Sequence, residues 1–421
     1  MIFVRHALPG EEVMITITDD SKDSFWRGDA TEILGPSPDR VPAPCPISGP
    51  GGCGGCDFQH VDLAAQRRLK GAVLAEQLQR LAGLELEVPV EEVPLPDGFG
   101  LGDRSGADGW DAGPSASSGP ESLGSSGPES VGNSGAGFGW RTRMRYLLDD
   151  DGIPGLRAHR SHRVIALPPE GCRIAAPGIS RPAGTSRAGG VTRADGSDSG
   201  ANTTISSGNA DAEIVGVAAA DGVHWVGDQA EVITEHAIGR DWRVAGDGFW
   251  QVHPAAADTL VDAVLDGLAP SAGESAFDLY CGVGLFTGAL VDAGCRVIGV
   301  ESGRDAVRDA RRNLADAGSR ARFLAARVDR ALRQPRGKGS LPRSTDLVIL
   351  DPPRTGAGRA VVGQIAVRHP RAIAYVACDP AALARDLGYF DRHGYRLDSL
   401  RAFDLFPMTQ HLECVAILSP R

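Results

Sequence analysis

From Ala276 to the end of the chain, short runs of apolar residues alternate with segments that carry apolar residues at helical spacing. The apolar runs predict buried parallel strands, because a strand covered on both faces is hydrophobic throughout. Strands and helices in this alternation are typical of a doubly wound α/β sheet. The predicted strands are 277–281, 297–300, 323–328, 347–350, 373–377 and 415–418, and the predicted helices are 286–293 and 305–317.

The N-terminal part of the chain has two other patterns. Apolar residues alternate at Val13, Ile15 and Ile17, and this alternation predicts a small β module. Residues 63–84 instead repeat apolar side chains at helical spacing, which predicts an amphipathic helix. The apolar positions of that helix are Leu69, Val73, Leu74, Leu78 and Leu81.

Two stretches, about 96–139 and 178–212, are dominated by Gly, Ser, Pro and Asp and contain almost nothing to bury. We interpret both as disordered or loosely ordered insertions, since such a composition cannot offset the entropy lost on ordering. The predicted domains are therefore a β module at 1–42, a central α+β domain at 43–240 that carries both insertions, and an α/β domain at 241–421.

Between the insertions, apolar and basic residues alternate and predict a strand with one apolar and one cationic face. Two interpretations stay open, a solvated edge strand and a strand that contacts RNA. The apolar face has Trp140, Thr142, Met144 and Tyr146, and the cationic face has Arg141, Arg143 and Arg145.

Composition limits the function classes. The net charge of -11 argues mildly against nucleic acid as a partner, because Lys and Arg drive phosphate binding, yet clustered arginines leave a local basic face. No apolar run approaches the length of a membrane span, and no export signal opens the chain, so we expect a cytoplasmic protein. We also expect a monomer.

Eight cysteines are too few and too clustered for the disulfide framework of a large secreted protein. Cys45, Cys53 and Cys56 lie close together in the sequence, and Cys172 follows far downstream. Four thiolates suit a 4Fe-4S cluster or a zinc ion, and spacing alone does not choose between them.

The first predicted strand ends in a Gly-x-Gly turn at Gly282 and Gly284, which lets the backbone pass close to a ligand. The second strand ends in Glu301, where an acid accepts hydrogen bonds from ribose hydroxyls. A dinucleotide site would have a third glycine where this chain has Thr287, so S-adenosylmethionine fits better. Asp329 would lie near the adenine, or it is a helix N-cap.

Three reactive groups follow later strands. Asp351 begins a rigid Asp-Pro-Pro turn that holds its carboxylate toward the crevice. Cys378 precedes Asp379 and Pro380 at a strand end, a setting that favours a nucleophile over a buried structural thiol. Thiolate addition to carbon 6 of uracil would make carbon 5 nucleophilic, and Glu413 could later remove the carbon-5 proton.

Together, these motifs resemble the RNA uracil-5-methyltransferase family over nearly the whole chain apart from the insertions. The N-terminal module resembles the TRAM domain, a small RNA-binding β-barrel, with its opening strand missing. The motifs are Cys-Gly-Gly-Cys-Asp-Phe-Gln-His at 53–60, Asp-Leu-Tyr-Cys-Gly-Val-Gly at 278–284, Asp-Pro-Pro-Arg at 351–354, Ala-Cys-Asp-Pro at 377–380 and Phe-Pro-Met-Thr-Gln-His-Leu-Glu at 406–413.

The resemblance implies a Rossmann-like methyltransferase domain with Cys378 as nucleophile, Glu413 as base, and a 4Fe-4S cluster on the four cysteines. The family commonly has a small residue such as Ser, and Asn, where this chain has Ala377 and Asp379 around the nucleophile. It also implies an S-adenosylmethionine pocket lined by Gln251, Tyr280, Glu301, Asp329 and Asp351.

The implied reaction is 5-methyluridine formation in structured RNA, with 23S ribosomal RNA favoured over transfer RNA. One alternative is a purine amino-methyltransferase that uses the Asp-Pro-Pro motif with Cys378 incidental. Another is a non-catalytic RNA-binding protein with a cluster. A uridine in a duplex hides carbon 6, so the target should lie in a loop or be flipped out.

Overall fold

The computed structural model describes residues 1–99, 136–149, 152–182, 185–186, 190–191, 213–227, 231–333 and 340–421. Most of both predicted insertions lies outside the described residues. The start of the second stretch packs, however, since Ile179 is fully buried. Within the described ranges, no helix is long and apolar enough to cross a membrane.

The secondary structure follows the chain in this order. The helices are α1 (Leu63–Gln77), α2 (Ala256–Leu268), α3 (Leu285–Asp292), α4 (Arg304–Asn313), α5 (Val328–Arg333), α6 (Gly358–Ala366) and α7 (Pro380–Arg392), with a π-helical turn at Leu78–Ala82 and a 3-10 segment at Ala315–Arg320. The strands are β1 (Ile2–Arg5), β2 (Glu12–Asp19), β3 (Trp26–Gly35), β4 (Val90–Glu92), β5 (Arg143–Leu148), β6 (Pro154–Arg157), β7 (Val164–Ala166), β8 (Thr185–Ser186), β9 (Gly190–Val191), β10 (Glu213–Ala219), β11 (Gly222–Val226), β12 (Val232–Ala237), β13 (Arg240–Ala245), β14 (Ser275–Leu279), β15 (Arg296–Glu301), β16 (Ala321–Ala325), β17 (Leu347–Leu350), β18 (Ala372–Ala377), β19 (Tyr395–Asp404) and β20 (Glu413–Pro420).

The C-terminal sheet has eight strands in the order β16-β15-β14-β17-β18-β20-β19-β4. Strands β14 to β18 are parallel to one another, whereas β20 lies antiparallel between β18 and β19. The predicted doubly wound α/β sheet is confirmed. Its chain order reverses between β14 and β17, and such a switch point opens a ligand crevice at the carboxyl ends of the strands.

Helices cover both faces of this sheet. Strand β17 illustrates the division, because Leu347 and Ile349 face one apolar layer while Val348 and Leu350 face the other. Helices α2, α3 and α4 pack on the first layer, and α1, α5, α6 and α7 pack on the second. The continuous apolar strands seen in the sequence are therefore buried on two sides.

Two elements of the predicted central region join the C-terminal sheet. Strand β4 pairs in parallel with β19 at the sheet edge. Helix α1 packs against α7 and β4. The sheet is consequently built from more of the chain than residues 241–421.

The remaining strands form smaller sheets. At the N-terminus, β1, β3 and β2 form a three-stranded sheet, and β12 pairs with β13 as a hairpin. The central sheet has the order β11-β10-β5-β6-β7. The interpretation of the arginine-containing segment as an edge strand is wrong, because β5 has a neighbour on each side.

The cationic face predicted for β5 is only partly exposed. Met144 and Tyr146 are buried as expected, but the Arg143 guanidinium is buried as well and donates to Glu235 at 2.9 Å. It also donates to the carbonyls of Gly246 and Gly248, at 3.0 and 3.1 Å. Arg143 therefore fixes the loop that follows β13 and is not free to contact RNA.

Helix α1 is confirmed over Leu63–Gln77, and the predicted Leu74 and Leu78 are buried, but the predicted apolar face coincides only in part with the buried one. Val73 and Leu81 are 51% and 44% exposed, whereas Gln66 and Lys70 are 0% and 2% exposed. With Leu74 they follow the helical repeat on one face. Two polar side chains thus occupy positions in the interior.

Candidate active site

The cofactor end of the crevice begins where β14 ends. Tyr280, Gly282 and Gly284 all have positive φ, at 67°, 52° and 98°. A Cβ at Gly282 would meet nothing within 4 Å, so the backbone there borders open space. Glycine makes this turn accessible at little conformational cost, although Tyr280 is strained.

Glu301 lies across this turn, at the end of the neighbouring strand β15. One carboxylate oxygen accepts from the backbone of Gly303 at 2.7 Å, and the other accepts from the backbone of Gly282 at 3.4 Å. Glu301 therefore borders the open space above the glycine turn. The residues fit a ribose-bearing ligand such as S-adenosylmethionine, since the predicted acid and the open backbone lie side by side.

Asp278, in β14 just before the glycine turn, joins this strand to helix α3. Its carboxyl group is fully buried, accepts from the Thr287 hydroxyl at 2.6 Å, and leaves its other oxygen without a partner among the described residues. Burial raises the pKa of Asp278 to about 7. Thr287, which stands where a dinucleotide site would have its third glycine, therefore binds Asp278 of β14, the strand that leads into the glycine turn.

Asp329 lies in the first turn of α5 and not before it, so it is not the N-cap residue there. It accepts from Arg327 at 3.0 Å, and this hydrogen bond lowers the pKa of its carboxyl group. Its charge in turn contributes to the raised pKa of Tyr280, after burial. Asp329 and Tyr280 therefore lie near each other at the predicted adenine position.

Gln251 is half-buried in the loop after β13, between Trp250 and Val252. The loop is held by Arg143 on one side. On the other, the backbone and hydroxyl of Thr142 both donate to the Val252 carbonyl, at 2.8 and 3.0 Å. A loop fixed at two points can present Gln251 in a defined position.

The three predicted reactive groups come together on adjacent strands. Asp351 follows β17, Cys378 follows β18, and Glu413 opens β20. Strands β17 and β18 are parallel neighbours, and the register of Ala377 with Cys414 places Cys378 beside Glu413. Because β20 runs antiparallel to β18, its first residue, Glu413, lies at the carboxyl ends of the parallel strands.

The charges of these three groups affect one another's pKa values. Burial raises the pKa of Cys378 to about 11, with further contributions from Glu413 and Asp351. Burial, and then the charge of Asp351, raises the pKa of Glu413 well above its ordinary value. This raised pKa favours the neutral thiol form of Cys378 at neutral pH.

Arg354 is a functional candidate to which the sequence analysis assigned no role. Its positive charge opposes the pKa rise of both Cys378 and Glu413, and its guanidinium lies 3.1 Å from Nε2 of His411. Burial, and then Arg354, lowers the pKa of His411 to about 4. The signal was available in the sequence, since Arg354 directly follows the Asp-Pro-Pro turn.

All four predicted cluster cysteines line one cavity of about 430 Å³. Cys45 and Cys53 are half-buried, and Cys56 and Cys172 are buried. Gln59 supports this cavity, because its side-chain oxygen accepts from the backbone of Cys45 at 3.1 Å. In the described part of the chain, no three His, Cys, Asp or Glu side chains are grouped so as to hold a metal ion.

The model of the family described as tRNA (uracil-5-)-methyltransferase matches residues 211–421. An RNA methyltransferase of Streptomyces avermitilis is 46% identical over all of this chain and 93% of its own length. The 23S rRNA (uracil(1939)-C(5))-methyltransferase RlmD of Alkalilimnicola ehrlichii is 32% identical over 99% of this chain and 91% of its own.

One solved structure resembles the whole chain. The tRNA (uracil-54, C5)-methyltransferase of Pyrococcus abyssi, in complex with S-adenosyl-L-homocysteine, superposes with a TM-score of 0.63. The match covers 99% of this chain and 94% of that one, at 22% identity. At this identity the similarity establishes a shared methyltransferase fold.

Proposed function

Because the chain belongs to the tRNA (uracil-5-)-methyltransferase family and is an S-adenosylmethionine-dependent RNA methyltransferase, we propose that it methylates carbon 5 of a uridine in 23S ribosomal RNA. A covalent adduct between Cys378 and the uracil is the proposed intermediate. One observation carries this proposal: the thiol, the carboxyl group of Glu413 and that of Asp351 meet on three adjacent strands, beside the glycine turn and Glu301.

In the proposed reaction, the Cys378 thiol first gives its proton to water, the thiolate attacks carbon 6 of the uracil, and the ring becomes enolate-like at carbon 5. S-adenosylmethionine supplies the methyl group that carbon 5 takes and leaves as S-adenosylhomocysteine. Glu413 then accepts the carbon-5 proton, the double bond reforms, and the thiolate leaves. Burial makes Glu413 a strong base once its carboxyl group is ionised, because a desolvated carboxylate holds a proton more tightly than one in water.

Asp351 has the position to orient the uracil. Its turn is fixed by two prolines, and its backbone N–H donates to the Leu279 carbonyl of β14 at 3.2 Å. The carboxyl group thereby lies between the cofactor residues of β14 and the nucleophile of β18. We assign Gln251, Tyr280, Gly282, Gly284, Glu301 and Asp329, together with Asp351, to the S-adenosylmethionine pocket.

Ribosomal RNA is the proposed substrate because the relative whose name states a ribosomal target is 32% identical over almost the full length of both chains. A transfer RNA is the second candidate, since the matching family is described by that substrate. An RNA base has to leave its stack to reach a buried thiol, so the target uridine should be unpaired or flipped.

Mapping of 5-methyluridine in RNA from cells with and without this gene tests the proposal. We expect one 5-methyluridine of 23S ribosomal RNA to disappear on deletion and to return with the intact gene. Loss from transfer RNA alone would contradict the ribosomal assignment. Loss of a methylated purine, with 5-methyluridine unchanged, would contradict the reaction itself, and mass spectrometry of digested RNA separates these results.

We assign Cys45, Cys53, Cys56 and Cys172 to a 4Fe-4S cluster. The support is that four thiols from two distant segments line a single cavity, which is the donor set that such a cluster requires. The cluster would join these segments and stabilise the central domain. The proposed methyl transfer needs no electron.

Anaerobically purified protein should contain about four irons and about four acid-labile sulfides per chain, as a 4Fe-4S cluster held by cysteine thiolates requires. Cys172→Ser should lose most of this content, whereas Cys295→Ser, in a buried thiol far along the chain, should keep it. One zinc per chain without sulfide would show that a single ion occupies the site.

The N-terminal sheet is proposed to contribute RNA contacts, in keeping with its resemblance to a TRAM barrel. The domain limits at 42 and 240 remain predictions, as do the cytoplasmic location and the monomeric state. The methyl-transfer reaction can be tested without removing residues 1–42, because the proposed reacting groups, Asp351, Cys378 and Glu413, all lie in the C-terminal α/β domain.

A further inference from the structure

The loop at residues 405–412, called here the base loop, joins the end of β19 to Glu413 at the start of β20. It also carries His411, the neighbour of Arg354. The position of Glu413 therefore depends on how this loop is held. Two side chains of helix α1, more than 300 residues earlier in the chain, contact this loop or the strand end beside it.

Lys70 holds the first part of the base loop. Its ammonium group donates to Asp404 at 2.6 Å and to the Phe406 carbonyl at 3.0 Å. The side chains of Lys70 and Asp404 are 1% and 2% exposed. A buried ion pair of this kind fixes geometry strongly, because neither charge has water as an alternative partner.

Gln66 holds the middle of the base loop. Its side-chain oxygen accepts from the backbone of Met408 at 2.8 Å, while its nitrogen donates to the carbonyls of Phe58 and Val61 at 3.1 and 2.9 Å. The backbone of Phe58 in turn donates to the Met408 carbonyl at 2.9 Å. Gln66 thus ties the loop to the segment that follows Cys56.

Met408 needs such support. Its φ is +67°, a left-handed conformation that a residue with a side chain adopts only when its surroundings impose it. Both backbone polar groups of Met408 are used by the contacts just described. Without Gln66, the loop would lose one of the hydrogen bonds that keep this turn in place.

We propose that Gln66 and Lys70 are positioning residues for Glu413, acting through the base loop so that its carboxylate stays aligned with the carbon-5 proton. This inference rests on the proposed function, in which Glu413 removes that proton. It assigns a role in proton removal to two polar side chains buried in the face of α1.

The test is a single-turnover reaction with two labels. The RNA is the 23S ribosomal or transfer RNA transcript in which mapping finds the site, made with [5-³H]uridine, and the methyl donor carries ¹⁴C. Methyl transfer appears as ¹⁴C in RNA, and proton removal appears as ³H in water. In the unchanged protein, the two signals should rise together, one methyl per tritium.

In Gln66→Met, ¹⁴C incorporation should run ahead of ³H release, with proton removal slowed on the order of 10- to 100-fold, as expected for a small misplacement of a reacting group. Gln66→Glu keeps the acceptor for Met408 and should show a smaller lag. Gln79→Met, the same change at an exposed glutamine, should show none. Equal slowing of both signals in Gln66→Met would overturn the inference.

Lys70 is tested in the same assay. Lys70→Met leaves Asp404 buried without its partner and is expected to lower the unfolding temperature. The double variant Lys70→Met, Asp404→Leu removes both charges and should refold normally while the ³H lag persists. A double variant with no lag would reduce Lys70 to a structural residue.

Glu413→Gln separates this inference from the proposed function. If Glu413→Gln incorporates ¹⁴C without releasing ³H, while in Gln66→Met ¹⁴C incorporation and ³H release rise together, only the positioning role fails. If the two signals also rise together in Glu413→Gln, the assignment of the base fails.

Discussion

Replacing Cys378 by alanine is expected to reduce RNA methylation by about 10⁴-fold or more, the scale of loss seen when a catalytic nucleophile is removed. The physical reason is that carbon 5 of uracil is too weak a nucleophile to attack a sulfonium methyl group unaided. Single-turnover assays with labelled methyl donor, followed by mass spectrometry of the nucleosides, measure the loss.

Binding of S-adenosylmethionine should survive the same substitution. The glycine turn and Glu301 of the predicted pocket lie at the ends of β14 and β15, whereas Cys378 lies at the end of β18, and it is not one of the residues assigned to the pocket. Isothermal titration should give a dissociation constant within about twofold of the unchanged protein, well under one 1.4 kcal/mol step. Cys295→Ala, in a buried cysteine of the core, is the matched control and should keep its activity.

Retained methylation in Cys378→Ala would contradict the covalent route. It would favour direct attack by an exocyclic amine gripped at the Asp-Pro-Pro turn, the amino-methyltransferase alternative. The product then decides the matter, since an amine-methylated purine and 5-methyluridine differ in mass and retention. Loss of cofactor binding together with activity would instead indicate that the variant had not folded.

Much of the α/β domain follows from its sequence because its strands are buried on both faces. Strand β17 coincides with the predicted 347–350, and β18 differs from its prediction by one residue. Helix α7 was missed although its signal was present: Asp379 caps it by accepting from the backbone of Ala382 at 2.8 Å, and Pro380 is its first residue. Strand β4 has only three residues and gains its place by pairing with distant β19.

The sequence predicted which residues form the site but not how their strands are ordered in the sheet. Their motifs placed Asp351, Cys378 and Glu413 at the ends of strands. The insertion of β20 between β18 and β19 depends on long-range antiparallel pairing, which local pattern does not encode. The buried positions of Gln66 and Lys70 were not predicted for a related reason. Polar residues in a helix indicate a solvated face, and the partners that bury these two lie more than 300 residues away in the chain.

Arg143 was predicted to be exposed, but a distant partner buries it. The alternation of arginines along β5 suggested a basic surface, but Glu235 from the β12–β13 hairpin neutralises Arg143 in the interior. Arg145 stays exposed and pairs with Glu213. Charge read from a single strand therefore overestimates the free positive surface, because the acids that pair with it arrive from neighbouring strands.

Glu413→Gln is expected to trap the RNA on the protein. The variant keeps the shape of the side chain and the cysteine, so addition and methyl transfer can proceed, but the neutral amide cannot accept the carbon-5 proton. Release of methylated RNA should fall about 10³-fold, within the range for loss of a general base. A slowly migrating band on a denaturing gel, labelled by both the methyl donor and the RNA, measures the trapped adduct.

Formation of the trapped adduct should require the Cys378 thiol. It should be absent from the double variant Cys378→Ala, Glu413→Gln, because no sulfur is available to bond carbon 6. Asp386→Asn offers a matched carboxyl control, since Asp386 is also fully buried but binds the Ala357 backbone and the Tyr375 hydroxyl and has no assigned part in proton removal. A Glu413→Gln protein that turns over normally would remove Glu413 from the reaction. A band that persists without Cys378 would show that another nucleophile forms the bond, and the peptide carrying the label would identify it.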